Sequence, residues 1–479
     1  MTRLSMWRGA SIWFVLGLAI VAHGQTFTTL AIFNGKNGSL PSYGPLMQGP
    51  DGNFYGTTLQ GGVDGDGTVF RVTPSGKLGV AYDFCQMPNC PDGGYPSAGL
   101  LLATSTEAYG TTNQNGAYGF GTIFEIQASR SFSVVHSFDS TDGADPQAGL
   151  IQAVDGNYYG TTNAGGLGYG TVFRLSPEGT LTTLHNFVGT DGNDPFRTLA
   201  QGTDGKIYGV TQGGGANNGG TLFRITLKGN FITLYNFCSQ PDCADGSGPN
   251  GILEGADGNF YGTTSIGGNP KCDSGCGTVF KATPDGAFAT LYSFCSEGGS
   301  CPDGRFPYAG LIQATDGNFY GTTYEGGTGG TLFEITPQGI LSTLHSFCGE
   351  PGCPDGQGPE APLVQATNGL FYGTTYYGGL DNRRCNGDGC GTIFSLDTGL
   401  APFIAFIHSW GKIGQTVGIL GQGFIGTTSV MLNGVPANFM VVSDTYLTAA
   451  VPPGGTTGYV TVTTPNGVLT SNVPFHVIP

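Results

Sequence analysis

The chain has 479 residues and a formal net charge of −16 at neutral pH. This length exceeds what one ordinary core supports, so we expect either several domains or one repeat array. Glycine accounts for 87 residues and charged residues for only 10%, which favours short strands and glycine turns over helices. The acidic balance argues against a nucleic-acid-binding protein, which presents a basic face to phosphate, and disfavours anionic membrane surfaces.

The first 24 residues predict a secretory signal peptide. Arg3 and Arg8 form a basic start, and an apolar stretch follows from Ser11. Small residues, Ala22 and Gly24, stand where a signal peptidase requires them. The alternative is a retained membrane anchor, but about twelve apolar residues are too few to span a bilayer comfortably. We therefore expect export, with no transmembrane segment after signal cleavage.

Three short sequence blocks each occur seven times between the signal and about residue 400. The tetrad Tyr-Gly-Thr-Thr, with one Tyr-Gly-Val-Thr variant, begins at Tyr55, Tyr109, Tyr159, Tyr208, Tyr261, Tyr320 and Tyr372. The block Gly-Thr-aliphatic-Phe begins at Gly67, Gly121, Gly170, Gly220, Gly277, Gly330 and Gly391. The block typified by Thr-Leu-His-Ser-Phe ends at Phe33, Phe84, Phe138, Phe187, Phe237, Phe294 and Phe347.

One unit contains four predicted strands. In the third unit they are Gly149–Ala153, Tyr158–Thr162, Gly170–Leu175 and Leu181–Phe187. An Asp-Gly-Asn turn follows the first strand, and Asp-Gly supplies the positive φ angles that a hairpin needs. Four antiparallel strands in about fifty residues is the pattern of a propeller blade.

The order of the blocks predicts a closed ring. The third block occurs once before the first complete unit, at Thr28–Phe33, and is missing after Gly391. The N-terminal strand therefore completes the last unit. We predict an all-β fold in which residues 25–400 form a seven-bladed propeller closed by that strand. Short turns lie on one face and long variable loops on the other, where binding is expected.

Twelve cysteines form six near-neighbour pairs. They are Cys85/Cys90, Cys238/Cys243, Cys272/Cys276, Cys295/Cys301, Cys348/Cys353 and Cys385/Cys390. An even count in an exported chain predicts disulfides. Metal binding is the alternative, but zinc sites bring together two pairs with Cys-x2-Cys spacing, and these gaps are longer and dispersed. Each disulfide closes one loop and contributes about 2 kcal/mol in the chain-entropy model.

The run Asp51–Thr58, followed by Gly67–Phe70, resembles the tandem GloVer (Gloeo/Verruco) repeats of exported bacterial proteins. The similarity covers nearly all of residues 26–400. It implies a bacterial secreted, cell-surface or periplasmic protein and no established activity. The second unit departs from the pattern because Ser105-Thr106-Glu107 replaces Asp-Gly-Asn, and the fourth departs at Val210.

The tail, residues 401–479, has a different composition, with alternating Val, Thr and Ile and no cysteine. Gly421–Phe424, Asn433-Gly434 and Val451-Pro452 resemble an IPT/TIG domain, which is a small immunoglobulin-like sandwich. The resemblance implies a spacer or an interaction module.

A repeated acidic turn supplies the candidate ligand-binding residues. They are Asp92, Asp142, Asp191, Asp245, Asp303 and Asp355, each followed by glycine. If the side chains converge, their oxygens form an acidic ring for Ca²⁺ or a hydroxyl-rich ligand. The competing interpretation is that Asp-Gly only shapes the turn, and we expect no cofactor. No catalytic residue is assigned, because Glu107, Glu254 and Glu325 lie in different units without a partner.

These features favour an exported, non-enzymatic binding or adhesion protein. Its loop face is expected to meet an extracellular glycan, a cell-envelope component or a partner protein. The alternative is an extracellular polysaccharide hydrolase or lyase, because propellers host such enzymes.

If the repeated aspartates only shape their own turns, Asp303→Asn and Asp355→Asn should leave calcium and ligand binding unchanged. Calorimetric titration of the oxidised protein, with calcium and with EDTA, measures this. Asp64→Asn, outside the repeated position, is the matched control. Loss of calcium binding in the Asp303 and Asp355 variants alone contradicts the turn-only interpretation.

Overall fold

The computed structural model describes residues 24–41, 43–272, 274–379, 385 and 387–478. In these ranges every regular element is a β-strand except one 3-10 turn at Pro241–Cys243, so the predicted all-β class is confirmed. Residues 1–23 of the predicted signal lie outside the described residues. Across the described ranges, no helix is both long enough and apolar enough to cross a bilayer.

The first 29 strands form seven antiparallel sheets in chain order. Strand β1 is Thr26–Ile32. The first sheet contains β2 (Ser39–Pro41), β3 (Met47–Gln48), β4 (Phe54–Gln60), β5 (Thr68–Val72) and β6 (Leu78–Asp83). The second contains β7 (Leu101–Leu102), β8 (Glu107–Thr112), β9 (Thr122–Gln127) and β10 (Phe132–Ser137). The third contains β11 (Ile151–Gln152), β12 (Tyr158–Thr162), β13 (Thr171–Leu175) and β14 (Leu181–Asn186).

The remaining four sheets repeat this order. The fourth contains β15 (Ala200–Gln201), β16 (Ile207–Thr211), β17 (Thr221–Ile225) and β18 (Phe231–Asn236). The fifth contains β19 (Ser247–Glu254), β20 (Phe260–Ile266), β21 (Thr278–Ala282) and β22 (Phe288–Ser293). The sixth contains β23 (Ile312–Gln313), β24 (Phe319–Thr323), β25 (Thr331–Ile335) and β26 (Leu341–Ser346). The seventh contains β27 (Val364–Gln365), β28 (Phe371–Thr375), β29 (Thr392–Asp397) and the N-terminal strand β1.

Strand β1 supplies the outer strand of the seventh sheet, as the order of the blocks predicts. It pairs antiparallel with β29, with Thr26 opposite Asp397 and Ile32 opposite Thr392. The aromatic ring of Phe54 in the first sheet lies 4.1 Å from that of Tyr372 in the seventh. The last sheet is therefore completed by the N-terminal strand and also packs against the first sheet.

In each sheet, the tetrad glycine packs closely against the phenylalanine of the Gly-Thr block on the adjacent strand. A Cβ atom on tetrad residue Gly160 would lie 2.6 Å from the ring of Phe173 on the next strand and 2.8 Å from Leu150. The same glycine–phenylalanine contact occurs in every one of the seven sheets. Glycine is required here for space, because its φ is ordinary for a strand.

Many buried threonine hydroxyls of the same strands form hydrogen bonds. The last threonine of each tetrad bonds the threonine of the Gly-Thr block, as in Thr58 with Thr68 at 2.9 Å and Thr162 with Thr171 at 2.8 Å. The first threonine reaches the next sheet in several units, for example Thr57 Oγ1 donating to the carbonyl of Ala98 at 2.7 Å. Buried hydroxyls thus join strands within a sheet and join one sheet to the next.

All six predicted disulfides are formed. Four of them close the loop that follows the outer strand of the first, fourth, fifth and sixth sheets, namely Cys85–Cys90, Cys238–Cys243, Cys295–Cys301 and Cys348–Cys353. The other two, Cys272–Cys276 and Cys385–Cys390, close loops between the second and third strands of the fifth and seventh sheets.

Cys353 has two features that the cysteine spacing did not predict. Its backbone φ is 46°, in the left-handed region that favours glycine. Its Sγ atom lies 3.6 Å from Oε1 of Gln357. Because this sulfur is bonded to Cys348, it carries no proton to donate, so the approach to Gln357 is a packing contact and not a thiol hydrogen bond. The disulfide therefore holds Cys353 against the start of the segment that leads into the seventh sheet.

The last ten strands form a separate sandwich. They are β30 (Ala405–Phe406), β31 (Trp410–Lys412), β32 (Thr416–Leu420), β33 (Ser429–Leu432), β34 (Val435–Pro436), β35 (Phe439–Val441), β36 (Tyr446–Ala450), β37 (Val460–Thr464), β38 (Gly467–Thr470) and β39 (His476–Ile478). Two four-stranded sheets, β30-β32-β36-β35 and β34-β33-β37-β38, enclose a core that includes Phe424, Leu447 and Val462.

The sandwich rests on one face of the seven sheets. In antiparallel sheets of four strands, the turns after strands one and three share a face, which we call the turn face. Thr445 Oγ1 donates to the carbonyl of Pro50 at 2.7 Å, and Gln422 Nε2 donates to Thr367 Oγ1 at 3.0 Å. Pro50 and Thr367 belong to turn-face turns. The opposite side, the loop face, carries the disulfide-closed loops.

Gly160→Ala is expected to lower the free energy of unfolding by about 1–3 kcal/mol, because the new methyl group overlaps Phe173 in a filled core. Gly79→Ala is the matched control, since a Cβ at Gly79 meets nothing within 4 Å. That substitution should leave stability unchanged or raise it by up to about 1 kcal/mol. Guanidinium unfolding of both variants measures the difference. Equal stability of Gly160→Ala and wild type would show that the close approach is not a constraint.

Candidate functional site

The structure places each repeated aspartate in the loop of its own sheet. Each carboxylate is bonded to a Tyr or His from the outer strand of that sheet, at 2.7–3.0 Å. The pairs are Tyr82–Asp92, His136–Asp142, His185–Asp191, Tyr235–Asp245, Tyr292–Asp303 and His345–Asp355. Either tyrosine or histidine can occupy this position because both present a flat ring with a polar tip.

Backbone amides complete the binding of these carboxylates. Cys85 N donates to Asp92 at 3.0 Å, and Cys348 N donates to Asp355 at 3.0 Å. Asp245 accepts hydrogen bonds from the Tyr235 hydroxyl and the Ser239 amide. Burial alone would raise the pKa of Asp245, but the hydrogen bonds from Ser239, Tyr235 and Gln240 outweigh it and lower that pKa. The carboxylates therefore tie each loop to its own outer strand.

No group of closely spaced metal-ligand atoms within the described ranges includes these six aspartates. The two groups found there are Cys272, Cys276, Cys295 and Cys301, and Asp66 with Cys85 and Cys90. All of these cysteines are disulfide-bonded, which leaves no thiolate for a metal. Cys348 and Cys353 belong to neither group and are also joined to each other. A calcium ring formed by the aspartates stays a prediction.

The glutamates that break the repeat are held separately. Glu254 accepts hydrogen bonds from the amide and hydroxyl of Thr203 in the neighbouring sheet, at 2.8 and 2.9 Å. Glu325 forms an ion pair of 2.6 Å with Arg305 on the loop face. Glu107 accepts from Thr104 at 3.2 Å on the turn face. Their positions do not form one site.

A different set of residues meets at the centre of the loop face. The segments that lead into the first strand of each sheet approach one another there. Small residues such as Ala98, Ala148 and Ala309 allow this close approach. In the fourth sheet the corresponding residue is Arg197. Its side chain crosses the centre, so that Nη2 donates to the carbonyl of Tyr308 in the sixth-sheet segment at 2.6 Å.

Aromatic rings and one carboxyl group surround this guanidinium. Arg197 lies 4.2 Å from the ring centre of Phe196 and 5.5 Å from that of Tyr43, distances at which a cation is attracted to the ring. Glu360, from the seventh-sheet segment, interacts with Arg197 electrostatically. Four of the seven sheets thus contribute to one cluster.

Burial dominates the electrostatics of the centre. It lowers the pKa of Arg197 to about 10, against the opposing effect of Glu360 and Tyr43. It raises the pKa of Glu360 to about 7, and the Arg197 charge only partly offsets this. Glu360 Oε2 and Arg197 Nε are both buried, and neither has a hydrogen-bond partner among the residues that the structure describes. Such orphaned polar atoms are costly unless a ligand or water meets them.

The cluster lines a cavity of about 260 Å³. Asp194 and the side chains of Gln147, Asn163 and Gln212 form its polar wall, together with Tyr43 and Tyr308. The amide of Gln212 donates to the Asp194 carbonyl at 3.0 Å, which fixes that part of the rim. Burial raises the pKa of the Asp194 carboxyl. The rings of Tyr308 and Tyr324 lie 5.2 Å apart and extend the aromatic surface outward.

Sequence reasoning did not find this cluster. Arg197 and Glu360 were visible as departures from the repeat, since Ala148 and Gln147 fill the equivalent positions of the third unit. Their convergence depends on how the sheets pack together, because they stand 163 residues apart in different units.

Comparison with known families identifies both parts of the chain. The Gloeobacter/Verrucomicrobia repeat matches residues 18–201, 165–306 and 300–430. The IPT/TIG domain matches residues 402–477. No curated protein matches the chain.

Several solved structures match this chain at low sequence identity. The extracellular domain of a protein assigned as a one component system of B. thetaiotaomicron is 12% identical with a TM-score of 0.51, over 93% of this chain and 48% of that one. The extracellular domain of an assigned hybrid two component system of B. thetaiotaomicron is 12% identical with a TM-score of 0.49, over 94% and 53%. A protein assigned as a 6-phosphogluconolactonase from Bacteroides uniformis is 16% identical with a TM-score of 0.43, over 63% and 83%.

The chain spans about half the length of the two extracellular domains. The likeness to the first of them shows the fold alone. The three repeat matches cover most of the chain, and they agree with the tetrads and Gly-Thr blocks seen in every sheet. This chain belongs to the Gloeobacter/Verrucomicrobia repeat family and carries an IPT/TIG domain at residues 402–477.

Proposed function

We propose that this chain is an exported, non-enzymatic binding protein whose loop face holds an extracellular glycan in the central cavity. In this proposal the seven sheets are the blades of a propeller over residues 25–400, closed by β1, and residues 401–479 form the IPT/TIG domain. Six disulfides and the likeness to an extracellular domain support export. A cell-envelope component or a protein is the alternative partner.

The observation that carries the proposal is the pair of unpartnered polar atoms in the centre. Arg197 Nε is a donor and Glu360 Oε2 is an acceptor, and both line the same cavity. A sugar hydroxyl both donates and accepts, so one ligand class can satisfy the two atoms together. The amides of Gln147, Asn163 and Gln212 add further hydrogen-bonding groups, while Tyr43 and Tyr308 provide flat apolar surface for a sugar ring.

The position of the sandwich supports the same site. It contacts the turn face through residues such as Thr445 and Gln422, so the loop face remains available. Another cavity, of about 350 Å³, lies on the loop face with Tyr324 and Gln357 in its lining. The Tyr324 ring lies 5.2 Å from the ring of Tyr308, which lines the central cavity. A chain of several sugars could extend from the centre across Tyr324.

Hydrolysis or elimination is the second candidate, because the central cavity contains two carboxyl groups, Glu360 and Asp194. A carboxyl with a pKa near 7 is suited to donate a proton at neutral pH. Glycosidases use such an acid together with a second carboxylate.

A binding-and-turnover screen against a polysaccharide panel tests these functions. Arg197→Ala is the informative variant, because it introduces the alanine that several other units carry and so should fold. Loss of a charge-assisted hydrogen bond is expected to weaken binding about tenfold or more. Lys228→Ala, at an exposed turn, is the control and should bind as wild type does.

Binding without product supports the binding protein. New reducing ends or unsaturated sugars would establish the hydrolase or lyase instead. Equal affinity of Arg197→Ala and wild type, or no binding to any polysaccharide, would refute the central glycan site.

Glu360 also predicts a pH dependence of stability. Its pKa in the folded chain is about 7 against an ordinary 4.5, so the folded state holds the proton more tightly. The contribution of Glu360 to stability is therefore greatest below about pH 4.5 and is lost as the pH rises to about 7. Relative to Glu360→Gln, wild type should lose roughly 1–3 kcal/mol over that range. Urea unfolding at several pH values measures this, and parallel curves for the two proteins would contradict it.

A further inference from the structure

We propose that a separate cavity, between the first two sheets and the C-terminal sandwich, binds a small neutral aromatic molecule. This junction cavity has a volume of about 430 Å³. Its lining includes Tyr55, Leu100, Ala108, Ile126, Val442 and Tyr446. It lies on the turn face and is therefore separate from the central glycan site.

The tetrad tyrosine of nearly every sheet packs on a large side chain of the next sheet. That side chain stands directly before the next tetrad. The ring pairs are Tyr109–Tyr158, Tyr208–Phe260, Tyr261–Phe319, Tyr320–Phe371 and Tyr372–Phe54, with ring centres 3.9–4.6 Å apart. Tyr159 shares a core cluster with Ile207, which occupies the same position in the fourth sheet.

The step from the first sheet to the second lacks this partner. The residue before the second tetrad is Ala108, so nothing larger than a methyl group faces Tyr55 from that position. Tyr55 is the one tetrad tyrosine that is only partly buried, whereas Tyr109 is 7% exposed and Tyr159 fully buried. The junction cavity therefore occupies the place where the other sheets hold an aromatic ring or Ile207.

Two departures from the repeat coincide at this cavity. Ser105-Thr106-Glu107 replaces the Asp-Gly-Asn turn in the same unit, and all three residues line the cavity with Ala108. The shortened side chain and the altered turn together open the space from the turn face. Neither change is required for folding. The other six sheets form with a larger side chain at the position of Ala108, and none of them has Ser-Thr-Glu at the turn.

The remaining walls indicate what kind of molecule fits. The apolar residues Leu100, Ile126 and Val442 line the cavity together with Tyr55. The hydroxyl of Tyr55 already donates to Asp51 Oδ2 at 2.9 Å. Two acidic and two basic side chains stand in the lining, namely Asp51, Glu107, Arg71 and Arg130. Balanced charge favours a neutral ligand, and the vacant ring position favours a flat one with a polar substituent.

The ligand would contact both domains. Val442 and Tyr446 come from the sandwich, and Thr445 between them holds the carbonyl of Pro50 at 2.7 Å. Bound ligand should therefore also stabilise the docked arrangement of the two domains.

The test titrates the two-domain chain with 4-methylphenol and with indole, using calorimetry or ligand-observed NMR, and uses cyclohexanol as a non-aromatic probe of similar size. Saturable binding of both aromatic probes is expected, with cyclohexanol severalfold weaker. Ala108→Phe introduces the residue found at Phe54, Phe260 and Phe319. It should weaken aromatic binding at least tenfold and raise the unfolding temperature. Ala108→Ser is the matched control, because it keeps the space and should bind within twofold of wild type.

If Ala108→Phe does not fold, Val442→Trp fills the cavity from the sandwich side, where Val442 is 54% exposed, and should cause the same loss. Three results would overturn the proposal. They are no saturable binding of either aromatic probe to wild type, wild-type affinity in a folded cavity-filling variant, or equal affinity for cyclohexanol and 4-methylphenol.

Discussion

The packing of a tetrad tyrosine against the following sheet is the contact on which the array of seven sheets depends. It occurs at every step except the one from the first sheet to the second. Each such ring removes about 150–250 Å² from water, equivalent to about 4–6 kcal/mol as an upper estimate. Tetrad glycines such as Gly160 make this packing dense, because they let a phenylalanine of the adjacent strand approach. Each sheet is buried on both sides by its neighbours, so no single unit has a complete core of its own.

The repeated residues of this chain maintain its structure, and the departures from the repeat line the cavities. Tyrosines, glycines and threonines of the blocks fill the sheets and bond to one another. The repeated aspartates bind their own loops. Arg197 and Glu360, by contrast, open a polar centre, and Ala108 opens the junction. An array of identical units presents no unique site, and single substitutions in particular units create one.

Much of the architecture was predictable because each feature depends on residues close together in the chain. Strand order, turn positions and all six disulfides follow from spacings within one unit, and the place of β1 follows from the phase of the blocks. The central cluster was not predictable in this way, since Arg197 and Glu360 meet only after four sheets have closed around a centre. Ala108 was hidden for another reason: alanine in a strand is unremarkable until its counterparts in the other sheets are superposed on it.

The pairing of β1 with β29 makes completion of the fold depend on the two ends of the array. Thr26 and Asp397 are partners in the same sheet, although almost the whole repeat array lies between them in the chain. During synthesis, β1 has no partner until β29 of the seventh sheet has been made, so its hydrogen-bonding edge stays open to other chains. Closure over so long a loop is entropically costly and slow. Shielding this one strand until β29 is available would therefore protect the whole molecule from edge-to-edge association.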